Sequence, residues 1–284
     1  MLKQLIGNTP LVRLRSGILV KLETYNPTGS IKDRIISYIV EDALKNNAIS
    51  KDTILVEATS GNTGISLAAI GATLGNEVKI IMPSNMSEER RSMMRFFGAE
   101  IIEVAPYDFA GAIKYRNELV AAGAWSPMQF ENKLNIQCHK NTTAKEIFRQ
   151  LGESTWGAFV SGAGTGGTMM GIAAFVAEND LNTKLIFMRP EEEEHGIQGI
   201  GDGGDYLMNA EHADATLKIK TEDAKSKMMS LSRELGVLVG ISSAANVLAA
   251  EQIRLNKSIF GEVVTIICDR GERYISDDDL KRLF

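Results

Sequence analysis

Cysteine is nearly absent from this 284-residue chain. Cys138 and Cys268 give no disulfide framework and suit a reducing compartment. Histidine is almost as scarce. His139, His195 and His212 stand apart, without metal-ligand spacing or a nearby cysteine pair, so no metal site is expected. A basic excess is also missing: 31 Lys+Arg against 36 Asp+Glu leave a net charge of −5, which recommends no nucleic-acid partner. No apolar run approaches the roughly 18 residues of a membrane span. Residues 1–8 lack an apolar core of signal-peptide length. The expectation is a soluble, cytoplasmic protein with no membrane partner.

What is present is ordinary for a globular enzyme, with 44% hydrophobic and 24% charged residues. The length fits one large or two modest α/β domains. Apolar runs at 54–56, 78–82, 101–104, 159–160, 185–188 and 263–267 read as strands, and a further short apolar run lies at 18–22. Helical patterns at 33–45, 63–74, 108–122, 166–176 and 222–235 lie between them. This alternation predicts parallel sheets built of βαβ units. There is no internal repeat or low-complexity tract; Pro106 and residues 123–127 are candidate joints. The glutamates at 191–194 read as a solvated loop, since carboxylates alone are weak evidence for an ion.

Three stretches carry chemistry. In the first, Asn26-Pro27-Thr28-Gly29-Ser30-Ile31-Lys32-Asp33-Arg34, Pro27 and Gly29 punctuate a turn and Ser30 signals a helix start. Ile35, Ile36, Ile39, Val40 and Ala43 then fall on one helical face. Lys32 thus sits where a turn enters a helix, a place where lysine is commonly just a solvated charge. The second stretch, Glu57-Ala58-Thr59-Ser60-Gly61-Asn62-Thr63-Gly64, joins a strand to a helix. Free backbone N–H groups there favour an anion, although Ser, Thr and Asn are also ordinary helix caps. The third, Ser161-Gly162-Ala163-Gly164-Thr165-Gly166-Gly167-Thr168, is a glycine turn entering a helix, suited to a phosphate. Gly162, Gly164 and Gly167 also satisfy the G-x-G-x-x-G dinucleotide fingerprint, with Glu191 beyond the next strand.

Together and in this order, the three stretches resemble the motifs of the fold-type II (β-family) pyridoxal-phosphate enzymes, which include cysteine synthases, cystathionine β-synthases and serine/threonine dehydratases. The resemblance implies an α/β fold of two domains, each a mostly parallel sheet flanked by helices, with the cofactor in the interdomain cleft. It assigns residues 36–131 to a smaller mobile domain, and 1–35 plus 132–284 to a larger one. Lys32 is implied to hold pyridoxal 5′-phosphate as a Schiff base and Asn62 to contact its 3′-oxygen. Gly164, Thr165, Gly166, Gly167 and Thr168 are the implied phosphate cup. Thr59, Ser60, Thr63 and Gln129 are implied to bind the substrate's α-carboxylate.

Gly240-Ile241-Ser242-Ser243 matches a family turn entering a helix. The resemblance favours Ser242 as partner of the pyridine nitrogen with Cys268 close by, Asp269 being the alternative. Cys268-Asp269-Arg270-Gly271 and Ser84–Arg91 are worded like the B-type cysteine synthases; Ser87 reads as a helix cap. Thr142-Thr143-Ala144-Lys145-Glu146 departs from the family's Thr-Thr-Gly-Pro-Glu and leaves the helix entry there open. His195-Gly196-Ile197-Gln198-Gly199-Ile200-Gly201 resembles a loop near the site entrance, with His195 read as solvent-facing rather than as a catalytic base.

The implied activity is β-replacement: O-acetylserine, or a similarly activated serine, plus sulfide gives L-cysteine through an aminoacrylate. Cystathionine or lanthionine formation and cysteine desulfhydration are alternatives on the same scaffold, and a catalytically retired regulatory binder is another. The resemblance further implies a homodimer and names serine acetyltransferase as a candidate partner.

Overall fold

The alternating pattern is realised in the computed structural model, which describes residues 2–201, 206–256 and 259–276. In chain order, β1 (Leu11–Arg13) and β2 (Leu19–Leu22) are followed by α1 (Lys32–Lys45), β3 (Leu55–Ala58) and α2 (Asn62–Leu74). Next come β4 (Val78–Pro83), α3 (Glu88–Phe96), β5 (Glu100–Val104) and α4 (Phe109–Ala121). A helical stretch made of α5 (Leu134–His139), a π-turn (Lys140–Ala144) and α6 (Lys145–Leu151) precedes β6 (Trp156–Gly162) and α7 (Gly167–Glu178). The order closes with β7 (Lys184–Pro190), β8 (Ala215–Ile219), α8 (Thr221–Leu235), α9 (Ile241–Arg254) and β9 (Glu262–Ile267). Every strand-like run of the sequence becomes a strand. Three were not read as strands: β1 is only three residues long, β2 stood out only as a short apolar run, and β8 is an edge strand that is mostly exposed.

The chain divides into two compact units, Met1–Ile6 with Asn26–Asn132 and Glu272–Phe284, and Gly7–Tyr25 with Lys133–Gly271. Residues 26–35 and the segment from Glu272 cluster with the first unit, whereas the resemblance grouped them with the larger domain.

In the first unit β3, β4 and β5 form a parallel sheet, registered Leu55↔Val78 and Ile80↔Ile101. One face carries Val56, Ala58 and Ile81, packed with Ala112 of α4. The other lies so close to α2 that a Cβ on Gly71 would come within 2.2 Å of Val78 Cγ2. The apolar face foreseen for α1 is buried as expected. A strand buried on both faces cannot leave a charge alone. Accordingly Glu57 of β3 meets the guanidinium of Arg116, both fully buried, at 3.3 Å. Burial pushes the Glu57 carboxyl above its usual range, and Arg116 opposes that.

The second unit has a six-stranded sheet in the order β1-β2-β9-β6-β7-β8, parallel except between β1 and β2. From β6 the chain crosses through α7 to β7 on one flank, while β9 returns on the other. That reversal between β6 and β9 is a topological switch point, where open parallel sheets leave a crevice beyond the strands' carboxyl ends. Gly162 and Ile267 end those two strands. Without the family's Gly-Pro, the chain at Thr143-Ala144-Lys145 stays helical, widening into the π-turn between α5 and α6. No described helix is long and apolar enough to cross a membrane.

Lys21, fully buried in β2, is neutralised by Glu146 of α6 at 2.7 Å. It also donates to the Thr9 carbonyl at 2.6 Å and to Gln150 Oε1 at 2.8 Å. Removing one partner strands the other charge. Lys21→Met is expected to cost about 3 kcal/mol, whereas Lys21→Met with Glu146→Leu recovers most of it. Urea midpoints of the two variants against the parent check this.

Candidate active site

Lys32 is the first residue of α1 and is half-buried, with its N–H donating to Ser30 Oγ at 3.3 Å. Ile31 occupies the cap position, so Ser30 acts one residue earlier than expected. Asp33 does more than complement a helix dipole. Its buried carboxylate accepts from Thr28 N at 2.7 Å and from the hydroxyls of Thr28 and Ser66. Burial raises its pKa; the Ser66 and Thr28 hydrogen bonds and the nearby Arg273 oppose the rise. Ser66 belongs to α2, and its hydroxyl also lies 3.0 Å from the Asn62 carbonyl. One carboxylate therefore braces the turn before Lys32 against the helix that begins at Asn62.

The strand-to-helix loop after β3 gathers hydroxyls, an amide and backbone N–H groups at the start of α2. The first α2 hydrogen bond in the loop's favour is Ile65 N to Gly61 O, at 3.0 Å. The N–H groups of residues 62–64 precede it and have no intrahelical acceptor. Thr59 Oγ1 accepts from Gly61 N at 3.1 Å, which leaves its own proton to donate. Thr63 donates to Gln129 Oε1 at 2.6 Å, so the Gln129 amide nitrogen is the end left as a donor. Thr63 in this geometry orients Gln129 rather than offering a proton itself. Glu57 Oε2 holds the Gln129 backbone N–H at 3.3 Å. Asn62 accepts at Oδ1 from Arg273, and Ser60 O accepts from Arg90 at 3.3 Å. Neither arginine was found by sequence reasoning; the only signal was two charged residues that end up buried.

In the second unit, residues 163–166 leave the carboxyl end of β6 and enter α7, at the switch point. Glycine is enforced at two positions. A Cβ on Gly164 would sit 2.3 Å from the Gly199 carbonyl oxygen, and Gly166 adopts φ +85° against Met208 N. Thr165 Oγ1 accepts from Asn135 Nδ2 at 3.1 Å and Gly167 N at 3.2 Å, so its proton is left to donate. Thr168 Oγ1 lies 3.3 Å from Nε2 of buried His139, whose Nδ1 meets Thr143 Oγ1 of the π-turn at 2.9 Å. Asn135 and His139 are supports that the sequence reading missed.

The carboxyl end of β9 and the start of α9 also meet at this switch point. Ser243 Oγ accepts from Cys268 N at 2.8 Å, and Asn246 Nδ2 lies 3.5 Å from Cys268 Sγ. Asn246 also ties β6 to β9, accepting from Gly162 N at 2.7 Å and donating to Ile266 O at 3.1 Å. Ser242 is buried in the first turn of α9, Asp269 is buried, and Cys268 is half-buried. Ser87 does not cap α3 with its side chain; its hydroxyl donates to the Arg273 carbonyl at 2.9 Å. Within the glutamate run, Glu192 accepts from Thr221 N and Oγ1 at the start of α8. No group of metal-ligating side chains occurs among the described residues.

Over residues 2–269 the chain matches the family model of pyridoxal-phosphate dependent enzymes. It is 37% identical over 293 residues to a cysteine synthase of Staphylococcus aureus, covering 96% of this chain and 94% of that protein. Its structure is similar to a hydrogen sulfide-producing enzyme of Fusobacterium nucleatum, with a TM-score of 0.90 and 36% identity over 96% of this chain and 99% of the other. A cysteine synthase of Entamoeba histolytica gives a TM-score of 0.92 and 35% identity, over 99% and 90% of the two chains.

The residues present fit the cofactor this family carries. Pyridoxal phosphate needs an amine for its aldehyde, a donor for its ring oxygen and a cluster of donors for its phosphate. Lys32 supplies an amine, and Asn62 an amide whose oxygen is already engaged. Within the second unit, the bare glycine backbone, the Thr165 hydroxyl and the first turn of α7 offer donors suited to a phosphate. With the fold, these donors and the match along nearly its whole length, the chain belongs to the pyridoxal-phosphate dependent enzyme family, of fold type II, and its cofactor is pyridoxal 5′-phosphate.

Proposed function

We propose that this enzyme is a cysteine synthase, replacing the β-substituent of O-acetylserine or a similarly activated serine with sulfide. The observation that carries the reading is the loop of residues 59–63, a hydroxyl-lined helix N-terminus, suited to a carboxylate, in the same unit as Lys32. The end-to-end similarity to cysteine synthases supports the choice of substrate.

When bound, the cofactor supplies an electron sink for negative charge at the substrate's Cα. Lys32 would hold the cofactor through its amine. With the substrate in place, its Nζ would take the Cα proton and return one at the end. Thr59, Ser60, the first-turn N–H groups of α2 and the Gln129 amide hold the α-carboxylate, with Thr63 setting the amide's orientation. Asn62 would donate to the ring 3′-oxygen, and the Gly164–Thr168 turn would hold the phosphate. Ser242 is the proposed partner of the ring nitrogen, with Cys268 beside it on Ser243. Binding the carboxylate tightly also excludes water from the reacting carbon.

Sulfide release from cysteine is the second reading. It is favoured by the similarity to the Fusobacterium nucleatum enzyme, and it runs the same β-chemistry with the thiol as leaving group. The proposal also includes a homodimer, a cytoplasmic location and docking of a serine acetyltransferase, all drawn from the resemblance. The two free thiols suit the location.

Titrating the purified enzyme with O-acetylserine, then sulfide, tests the first reading. The cofactor absorbance is expected to change with the first addition and to return with the second, with cysteine formed. A change produced by cysteine alone, with sulfide released, would select the second reading. Lys32→Ala is expected to abolish turnover while the urea midpoint moves little; near-normal turnover would remove the mechanism. In Gly164→Ala, the new methyl meets the Gly199 carbonyl, and the protein is expected to lose most of its cofactor on dialysis while remaining folded. Cofactor content and circular dichroism check this.

A further inference from the structure

Arg273 is 2% exposed, a cation held almost wholly inside the first unit. One terminal nitrogen donates to Asn62 Oδ1, and the other to the Thr28 carbonyl at 2.8 Å. Its Nε is buried with no hydrogen-bond partner among the described residues. The surroundings explain why the side chain stays in place. Ser87 holds the Arg273 carbonyl, and the Tyr274 ring lies 4.7 Å below the guanidinium carbon of Arg90. Ser276 donates to Glu89 from its backbone N–H, at 2.8 Å.

A side-chain amide has an acceptor end and a donor end, and a flip interchanges them. A guanidinium has no acceptor at all. Once Arg273 faces Asn62, only the amide oxygen can turn toward it. The amide nitrogen must then be the end presented elsewhere. Building on the reading that Asn62 meets the ring 3′-oxygen, we propose that Arg273 is the positioning residue that makes Asn62 a donor there. The second contact, to Thr28, ties the same guanidinium to the turn that precedes Lys32. Arg273 thereby fixes the donor relative to the amine that carries the cofactor. The buried positive charge also polarises the amide and strengthens its N–H as a donor.

A donor at the 3′-oxygen favours its ionised form, which absorbs at longer wavelength than the neutral one. The test is the absorption spectrum of the holoenzyme, and its retention of cofactor, in Arg273→Met, Arg273→Lys, Asn62→Ala and the Arg273→Met/Asn62→Ala double variant. Urea midpoints are measured alongside. Arg273→Met and Asn62→Ala are each expected to shift absorbance to shorter wavelength and to weaken cofactor retention about tenfold, the range of one hydrogen bond to a charged group. The double variant is expected to match Asn62→Ala, because the two residues act in series. Arg273→Lys, whose donors sit on one nitrogen and cannot fork as the guanidinium does, is expected to fall between parent and Arg273→Met. It also serves as the reading if the methionine variant fails to fold.

A spectrum unchanged by both arginine substitutions, with Asn62→Ala shifted, overturns the role of Arg273 and leaves the role of Asn62 standing. Spectra unchanged in both Asn62→Ala and the arginine variants remove the assignment of Asn62 and, with it, this proposal. A further shift in the double variant, beyond that of Asn62→Ala, overturns the serial arrangement. A fall in urea midpoint without any spectral change assigns Arg273 a purely structural role and likewise overturns it.

Discussion

The buried carboxylate of Asp33 is the constraint on which the first unit's chemistry rests. A carboxylate out of water must find donors or lose its charge. Here the donors come from Thr28 on one side and Ser66 on the other. Satisfying one group therefore fixes two helix starts at once, that of α1 at Lys32 and that of α2 at Asn62. Arg273 repeats the connection from another direction, between Asn62 and Thr28. The amine and the amide are placed by the electrostatic needs of neighbours that do no chemistry themselves.

The two proposed anion sites follow one physical scheme in different materials. Each lies at the N-terminus of a helix that starts directly after a parallel strand, where backbone N–H groups have no carbonyl of their own helix to bond. The loop after β3 adds hydroxyls and an amide, groups that rotate and suit a carboxylate that comes and goes. The turn after β6 uses bare backbone instead, with glycines crowded by the Gly199 carbonyl and Met208. A backbone cradle cannot rotate away, which suits a phosphate that stays through many turnovers. In each case hydroxyls are directed by neighbours that consume one of their hydrogen-bonding roles: Gly61 N for Thr59, and Asn135 and Gly167 for Thr165.

The sequence made legible what depends on nearby residues. Apolar runs gave the strands, and the helix starts at Lys32, Asn62 and Gly167 came within one residue of where they form. Illegible were features set by distant partners. Arg273 drew no individual reading, yet it is buried and donates to Asn62, 211 residues earlier. His139 reads as a stray histidine until α5 and α7 bring it under Thr168. The hydroxyl of Ser87 reads as a cap, but it is claimed by the Arg273 carbonyl. The loss of Gly-Pro near Ala144 was visible, but the π-turn that absorbs it was not. Strand β8 was missed because an exposed edge strand carries too few apolar positions to declare itself.

The first unit is discontinuous in sequence, and that bears on how the protein is made. Its last described piece, from Glu272, is synthesised after the whole of the second unit. As the nascent chain leaves the ribosome, Lys32 and Asn62 emerge early, while Arg273 follows only after the second unit. Until then the Asn62 amide oxygen and the Thr28 carbonyl lack their guanidinium partner. This part of the first unit is thus completed late, by a segment that seats Arg273, Tyr274 and Ser276 against residues long since made.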